Sequence, residues 1–276
     1  MKRIFVLLAL LGASPAGAEP LETVGNRLFL DARVNGVETR ALLDSGAEVS
    51  ILSPEFAARA GLQADGEATE ARGTGAGPQD AVLLESVHVD ALGLALEAPA
   101  AIIDLQDVSA RLVGRPLDLI VGRSLFDRAR LAIDIEGGTI ALAENAIGPG
   151  TVLPLGEAQG LATIPARLGE VVVPALFDLG NGSRPQVSRA LVDRLGLEVV
   201  GTETAGGIGG AHERDLVALP TLTLAGRTFD GLIASVDETD GDLINVGTSI
   251  LRHYLIVTDF SAGWIRLDPR NEAQDG

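Results

Sequence analysis

Cysteine is absent from all 276 residues, which excludes disulfides, thiolate metal sites and a cysteine nucleophile. Lysine occurs once, as Lys2, and 38 acidic against 21 basic residues leave a formal charge of -17. A surface this acidic repels phosphate backbones, so nucleic acid is not an expected partner. Imidazole is limited to His88, His212 and His253, whose wide separation matches no zinc spacing. The Ser45-Gly46 and Ser53-Pro54 pairs lack an accompanying histidine, which argues against a serine hydrolase. The glycine-rich stretch 73–77 lacks the lysine of a phosphate-binding loop, and no alternating Asp/Asn spacing suggests a calcium loop. No cofactor and no metal are expected. The acidic residues Asp104, Asp107 and Asp118 lie among Arg111 and Arg115, a pattern read as a solvated charged surface.

What is present is a chain with 46% hydrophobic residues, enough to bury one large core or two smaller ones. Its first residues read as an export signal. Lys2 and Arg3 form a short basic region, residues 4–11 an apolar run, and Ala16-Gly17-Ala18 a small-residue cleavage site. The run is about half of what a bilayer crossing requires, so no stable membrane insertion is expected. The mature chain is expected to begin at or near Glu19 and to reside in a periplasm or be secreted.

The rest of the chain is internally duplicated. The segment Ala41-Leu42-Leu43-Asp44-Ser45-Gly46 aligns without a gap on Ala175-Leu176-Phe177-Asp178-Leu179-Gly180, at a constant offset of 134 that extends back to Leu30 and Ile164. Each copy reads as strand, hairpin turn near Gly36 or Gly169, and a second strand entering an Asp-x-Gly turn. A helix follows in each, starting at Ser53 or Ser188 and stopping at Gly61 or Gly196, because serine caps the free amides and glycine accepts the left-handed C-terminal conformation. Glycine-rich tips recur at Gly73-Thr74-Gly75 and Gly207-Ile208-Gly209, compatible with mobile hairpins or with plain surface loops. Each copy closes with Leu119-Ile120-Val121-Gly122 or Ile244-Asn245-Val246-Gly247, then a short helix and a hairpin. Asp134 and Asp259 fall at the ends of matching strands in those hairpins and are read as structural. The division expected is signal peptide 1–18, first lobe 19–146, a Gly/Pro-rich linker 147–159 and second lobe 160–276.

On these motifs the sequence resembles the retropepsin-like aspartic peptidases of the pepsin superfamily. The family's apolar strand ending in Asp-Thr/Ser-Gly-Ala is matched by Leu42-Leu43-Asp44-Ser45-Gly46-Ala47, and its apolar pair with glycine by Ile120-Val121-Gly122. The second copy keeps Asp178 and Gly180 but has Leu179 where the family has a hydroxyl residue, and Asn181-Gly182-Ser183 enlarges its turn. The resemblance implies an all-β, two-lobed, pseudo-symmetric barrel fold with short helices. It implies catalysis by Asp44 and Asp178, supported by Ser45, Gly46, Ala47, Gly180 and Asn181, with flaps at Gly73, Thr74, Gly75, Gly207, Ile208 and Gly209. An extended peptide or protein is then the expected substrate, and one chain suffices for the cleft. Two neighbouring carboxyls would share one proton and activate a water. The alternative is a weak or inactive peptide-binding relative, because leucine can neither donate nor accept the hydrogen bond made across the two active-site loops.

Overall fold

A computed structural model describes residues 17–143 and 148–270. Most of the expected signal peptide and the first residue of the expected linker therefore lie outside the described residues. The chain is all-β with a few short helices, in three sheets of eight, ten and six strands.

Each lobe begins with the expected hairpin. Arg27–Val34 pairs antiparallel with Val37–Leu43, and Asn35 and Gly36 both take positive φ at the turn, the combination a tight hairpin following right-twisted strands requires. In the second lobe Leu161–Leu168 pairs with Val171–Phe177 around Gly169. The second strand of each hairpin then takes a parallel partner: Leu119–Val121 lies beside Val37–Leu43, and Ile244–Val246 beside Val171–Phe177. Ser50–Leu52 and Gln186–Ser188 pair on the far side of those partners. The chain therefore leaves one strand, loops outward through the aspartate turn and returns across the intervening strand, so the turn sits at the sheet's end with its stem fixed by backbone bonds.

The helices behave as their caps dictate. Ser53 accepts from Phe56 N at the start of Pro54–Arg59, and Ser188 from Leu191 N at the start of Arg189–Leu195; Gly61 and Gly196 follow in left-handed conformation. Ser188 Oγ also accepts from Leu243 N at 3.1 Å, tying the helix start to the segment that enters Ile244–Val246.

The six-stranded sheet joins the lobes. Leu131–Asp134 of the first half pairs antiparallel with Tyr254–Asp259 of the second, in the register Ile133↔Ile256. Asp259 also forms an ion pair with Arg130 at 2.6 Å, and Phe260 packs on Phe126 and Phe177 with ring centroids 5.2 and 6.4 Å apart. The stretch read as linker differs from a slack connection. Thr151–Pro154 adds an edge strand beside Trp264–Pro269, and Gly156–Ala158 pairs with Leu161–Leu168. Pro154 sits on that edge strand, where its missing N–H leaves no central ladder bond unmade. Buried side chains from both halves merge into one core, while a second apolar cluster around Phe29, Ile51 and Ile120 lies within the first lobe. Among the described residues no helix is long and apolar enough to cross a membrane.

Candidate active site

The two aspartates are positioned by the same backbone device. Asp44 N donates to Val121 O at 3.0 Å and Asp178 N to Val246 O at 3.2 Å, extending each parallel strand pair by one bond into the loop. Each carboxylate then accepts the amide two residues on, Gly46 N at 2.8 Å and Gly180 N at 2.9 Å, which turns the side chain back over its own loop.

The loops meet face to face. A Cβ on Gly46 would lie 2.8 Å from Asp178 Oδ1, and one on Gly180 would lie 2.4 Å from Asp44 Oδ1. Glycine at these two positions is what admits the opposing carboxyl. Each carboxyl thus faces the other's loop, and the Asp44 pKa is pushed up to about 8, first by burial and then by the charge of Asp178. Ser45, buried between the loops, donates from Oγ to Phe177 O at 2.7 Å and accepts from Leu179 N at 3.0 Å. Leu179 is fully buried in the core, and its side chain returns no such bond to the first loop.

Behind each loop a helix start is held by the loop's own carbonyl. Arg123 N donates to Ala47 O at 2.8 Å and Thr248 N to Asn181 O at 2.9 Å. The glycines preceding these helices allow that approach: a Cβ on Gly122 would stand 2.7 Å from Ala47 O, and one on Gly247 only 2.1 Å from Asn181 O. The apolar-pair-and-glycine motif is thus a packing requirement of the loop.

The symmetry fails in the second loop, and the failure is chemical. Asn181, the counterpart of Ala47, donates from Nδ2 to Asn245 Oδ1 at 2.9 Å, and Asn245 Nδ2 donates to Asp178 Oδ2 at 2.7 Å. Asn181 N adds a bond to Asp178 Oδ1 at 3.1 Å. Asp178 accordingly accepts from three protein N–H groups outside the pair, whereas Asp44 accepts from Gly46 N. Donors favour the ionised form of a carboxyl, and the second loop offers its carboxyl more of them than the first loop offers Asp44. Arg27 adds a nearby positive charge. Its buried guanidinium donates to Gly25 O and Leu112 O; burial pulls its pKa down, and the two aspartates pull it back up.

Sequence reasoning assigned no role to Asn245 or Arg27. Asn245 carried a signal, as the polar residue in a triplet whose first-lobe counterpart is Leu119-Ile120-Val121. Arg27 carried none beyond its place at the start of the first strand.

The glycine-rich segments form hairpin tips, between Glu67–Ala71 and Gln79–Ala91 and between Val199–Ala205 and His212–Ala218. The tips touch: Gly77 N donates to Gly209 O at 3.2 Å, Arg214 reaches Thr74 O, and Ile208 lies against Gly73 and Gly75. Arg111 braces the second tip through Gly206 O and Gly207 O at 3.1 and 3.0 Å. The other acidic residues are taken up locally. Asp107 pairs with Arg111, Asp118 with Arg59, Asp134 with Arg270 and Asp259 with Arg130, while Asp104 accepts from Gln106 N. No group that could hold a metal ion occurs among the described residues. A shallow cavity of about 380 Å³ lined by Glu48, Val49, Ala98, Pro99, Ser124, Asp127 and Arg128 contains neither aspartate.

Residues 30–125 match the aspartyl protease family. DNA damage-inducible protein 1 of Cryptococcus neoformans is 31% identical over 124 residues, covering 44% of this chain and 27% of that protein. The protein of the same name from Neurospora crassa is 30% identical over 137 residues, 48% of this chain and 27% of its own length. The UBA domain-containing protein Mud1 of Schizosaccharomyces pombe is 30% identical over 151 residues, 50% and 43% of the two chains. This chain spans less than half the length of these curated relatives.

Proposed function

We propose, from the premise that residues 30–125 belong to the retropepsin-like aspartyl proteases, that this chain is an endopeptidase in which Asp44 and Asp178 together activate one water against a peptide bond. The observation that carries this reading is the approach of each carboxyl to the glycine of the opposing loop, across turns of matching geometry. Asp178, holding the negative charge, takes a proton from water as its oxygen attacks the scissile carbonyl carbon. Asp44 gives its proton to the carbonyl oxygen, yielding a tetrahedral diol. Asp178 then passes its proton to the nitrogen while Asp44 takes one from a diol hydroxyl, breaking the C–N bond and restoring both carboxyls, without an acyl-enzyme and without a cofactor. The substrate is an extended polypeptide lying beneath the two hairpin tips, which part to admit it, and one chain supplies the whole cleft.

Incubating the purified protein with a diverse peptide library from about pH 3 to about pH 8, a range bracketing ordinary and raised carboxyl values, tests this directly. Internal cleavage is expected. Peptide binding with no cleavage at any pH would favour the second reading, a binding relative without turnover, for which the buried, non-bonding side chain of Leu179 is the supporting observation. Export is proposed alongside, on the pattern of residues 1–18; the mass of the protein recovered outside the cytoplasm is expected to begin at or near Glu19, and retention of Lys2 would overturn it.

Asn245 is proposed as a positioning residue for the base. Replacing it by leucine removes a hydrogen bond to a charged group, worth about 1.5–3 kcal/mol, and is expected to lower kcat/KM by roughly 10- to 100-fold. An unchanged kcat/KM in a folded N245L protein would show that Asn245 does not position the base.

A further inference from the structure

The two lobes present opposite chemistry at equivalent positions, and that difference bears on what the cleft accepts. The registers fix the equivalences. Ile51 opposite Ile120 in the first lobe corresponds to Gln186 opposite Asn245 in the second, and Phe29 beside Leu42 to Thr163 beside Leu176. Ala101 opposite Leu83 corresponds to Ser235 opposite Leu216. Two residues further along the same faces, Ile103 and Ala81 are matched by Asp237 and Arg214. Phe29, Ile51, Ala81, Ala101, Ile103 and Ile120 are all buried in one apolar cluster, and Ile208 from the opposite hairpin tip packs onto it. The counterparts of these six, Thr163, Gln186, Arg214, Ser235, Asp237 and Asn245, are all polar, and Thr163, Arg214, Ser235 and Asn245 are buried.

Burial of so many polar groups is costly unless each finds a partner. Most do. Ser235 Oγ donates to Glu203 at 2.7 Å, Arg184 pairs with the other oxygen of Glu203 at 3.0 Å, and Arg214 lies 3.9 Å from Asp237. The charges therefore cancel in pairs. Two groups are left over: Gln186 Oε1 and His212 Nδ1 are buried with no partner. Because His212 accepts at Nε2 from Arg214, its ring hydrogen stands on Nδ1, and the leftovers are one acceptor and one donor.

Resting on the peptide cleft proposed above, we infer that its two halves select different residues: aliphatic or aromatic side chains against the first lobe, and uncharged amide side chains, glutamine or asparagine, against the second. An amide side chain offers both a donor and an acceptor. An ionised side chain would enter a region whose charges are already paired and would be left uncompensated. An aliphatic one would leave the buried polar groups without water or partner.

Four uncleavable ten-residue peptides with a reduced central bond test this, carrying two leucines or two glutamines on each side of that bond in all combinations. One of the two mixed orders is expected to bind at least about tenfold more tightly than Leu/Leu and Gln/Gln, since a site built to hydrogen-bond discriminates strongly against an apolar analogue. Gln186→Ile, which copies Ile51, is expected to erase that advantage and strengthen Leu/Leu binding; Ser235→Ala, which copies Ala101, is expected to weaken it in the same direction and serves if Q186I does not fold. Leu/Leu binding as tight as either mixed peptide, or no binding of any of the four, overturns the inference. Cleavage of library peptides with apolar residues on both sides would overturn it and leave the protease reading standing. Mixed-order binding without any cleavage would do the reverse.

Discussion

Replacing Asp44 by asparagine is expected to lower peptide hydrolysis by about 10³-fold or more while raising thermal stability near pH 8. The first effect follows from removing the acid of an acid/base pair, a contribution of about 10²–10⁴ for one positioned group. The second follows from the raised pKa, about 8 in the folded protein. Below the ordinary carboxyl value of about 4, Asp44 is protonated in both folded and unfolded chains and exerts no pull on the equilibrium. As pH rises from there through the folded value, the unfolded chain releases a proton that the native state retains, so stability is progressively lost across that window. Asparagine does not titrate, and the D44N protein should show a flatter stability profile, with a melting temperature at pH 8 at least about 2 °C above wild type. Melting curves from about pH 4 to about pH 8 set beside initial rates would read both. A turn aspartate that merely accepts backbone amides would behave in the opposite way, losing stability with little loss of turnover, and that result would sink the assignment.

Ser45→Ala is expected to be the costliest small change in the site. The hydroxyl makes two bonds across the lobe boundary, to Phe177 O and from Leu179 N, and it is buried. Alanine leaves a carbonyl and an amide unpaired there, at about 1–3 kcal/mol each, for a loss of about 2–6 kcal/mol. The usual partner bond from the other loop cannot offset it, because Leu179 has no hydroxyl. The opposing carboxyls are placed by these loops, and a shift of about 1 Å in a reacting group costs about 10²-fold in rate. Urea unfolding and kcat/KM for a single cleaved peptide would be measured together, with Ser45→Thr as the control that keeps the hydroxyl. Unfolding within about 1 kcal/mol of wild type and near-normal turnover in S45A would mean the loops are held by something else.

The duplication made the two aspartates legible in the sequence, since a constant offset needs no knowledge of the fold. The same holds for Ser45 and the two hallmark glycines, which are local to their motifs. The asymmetry between the two carboxyls was not legible. It depends on Asn245, whose side chain reaches Asp178 only because Ile244–Val246 lies parallel to Val171–Phe177, a pairing across 67 residues of chain. Arg27 stands near both carboxyls through the return of the first hairpin, and no periodicity marks it. The strands inside the connection were illegible for a related reason: Thr151–Pro154 becomes a strand by pairing with Trp264–Pro269, and its composition gives no hint of a partner so far along the chain. The polar character of the second lobe's inner face was visible residue by residue, yet it gains meaning only once the registers align it with the apolar cluster of the first.

Both aspartate loops belong to one polypeptide, fastened together where Leu131–Asp134 meets Tyr254–Asp259. In a two-fold assembly of identical chains every substitution is made twice, once on each side of the axis. A leucine after the aspartate would then strip the hydroxyl from both loops at once, and an asparagine behind one carboxyl would appear behind the other and cancel its own bias. Covalent linkage removes that constraint. Each half can accumulate changes that would be ruinous in duplicate, so one loop keeps the grip while the other specialises in holding charge.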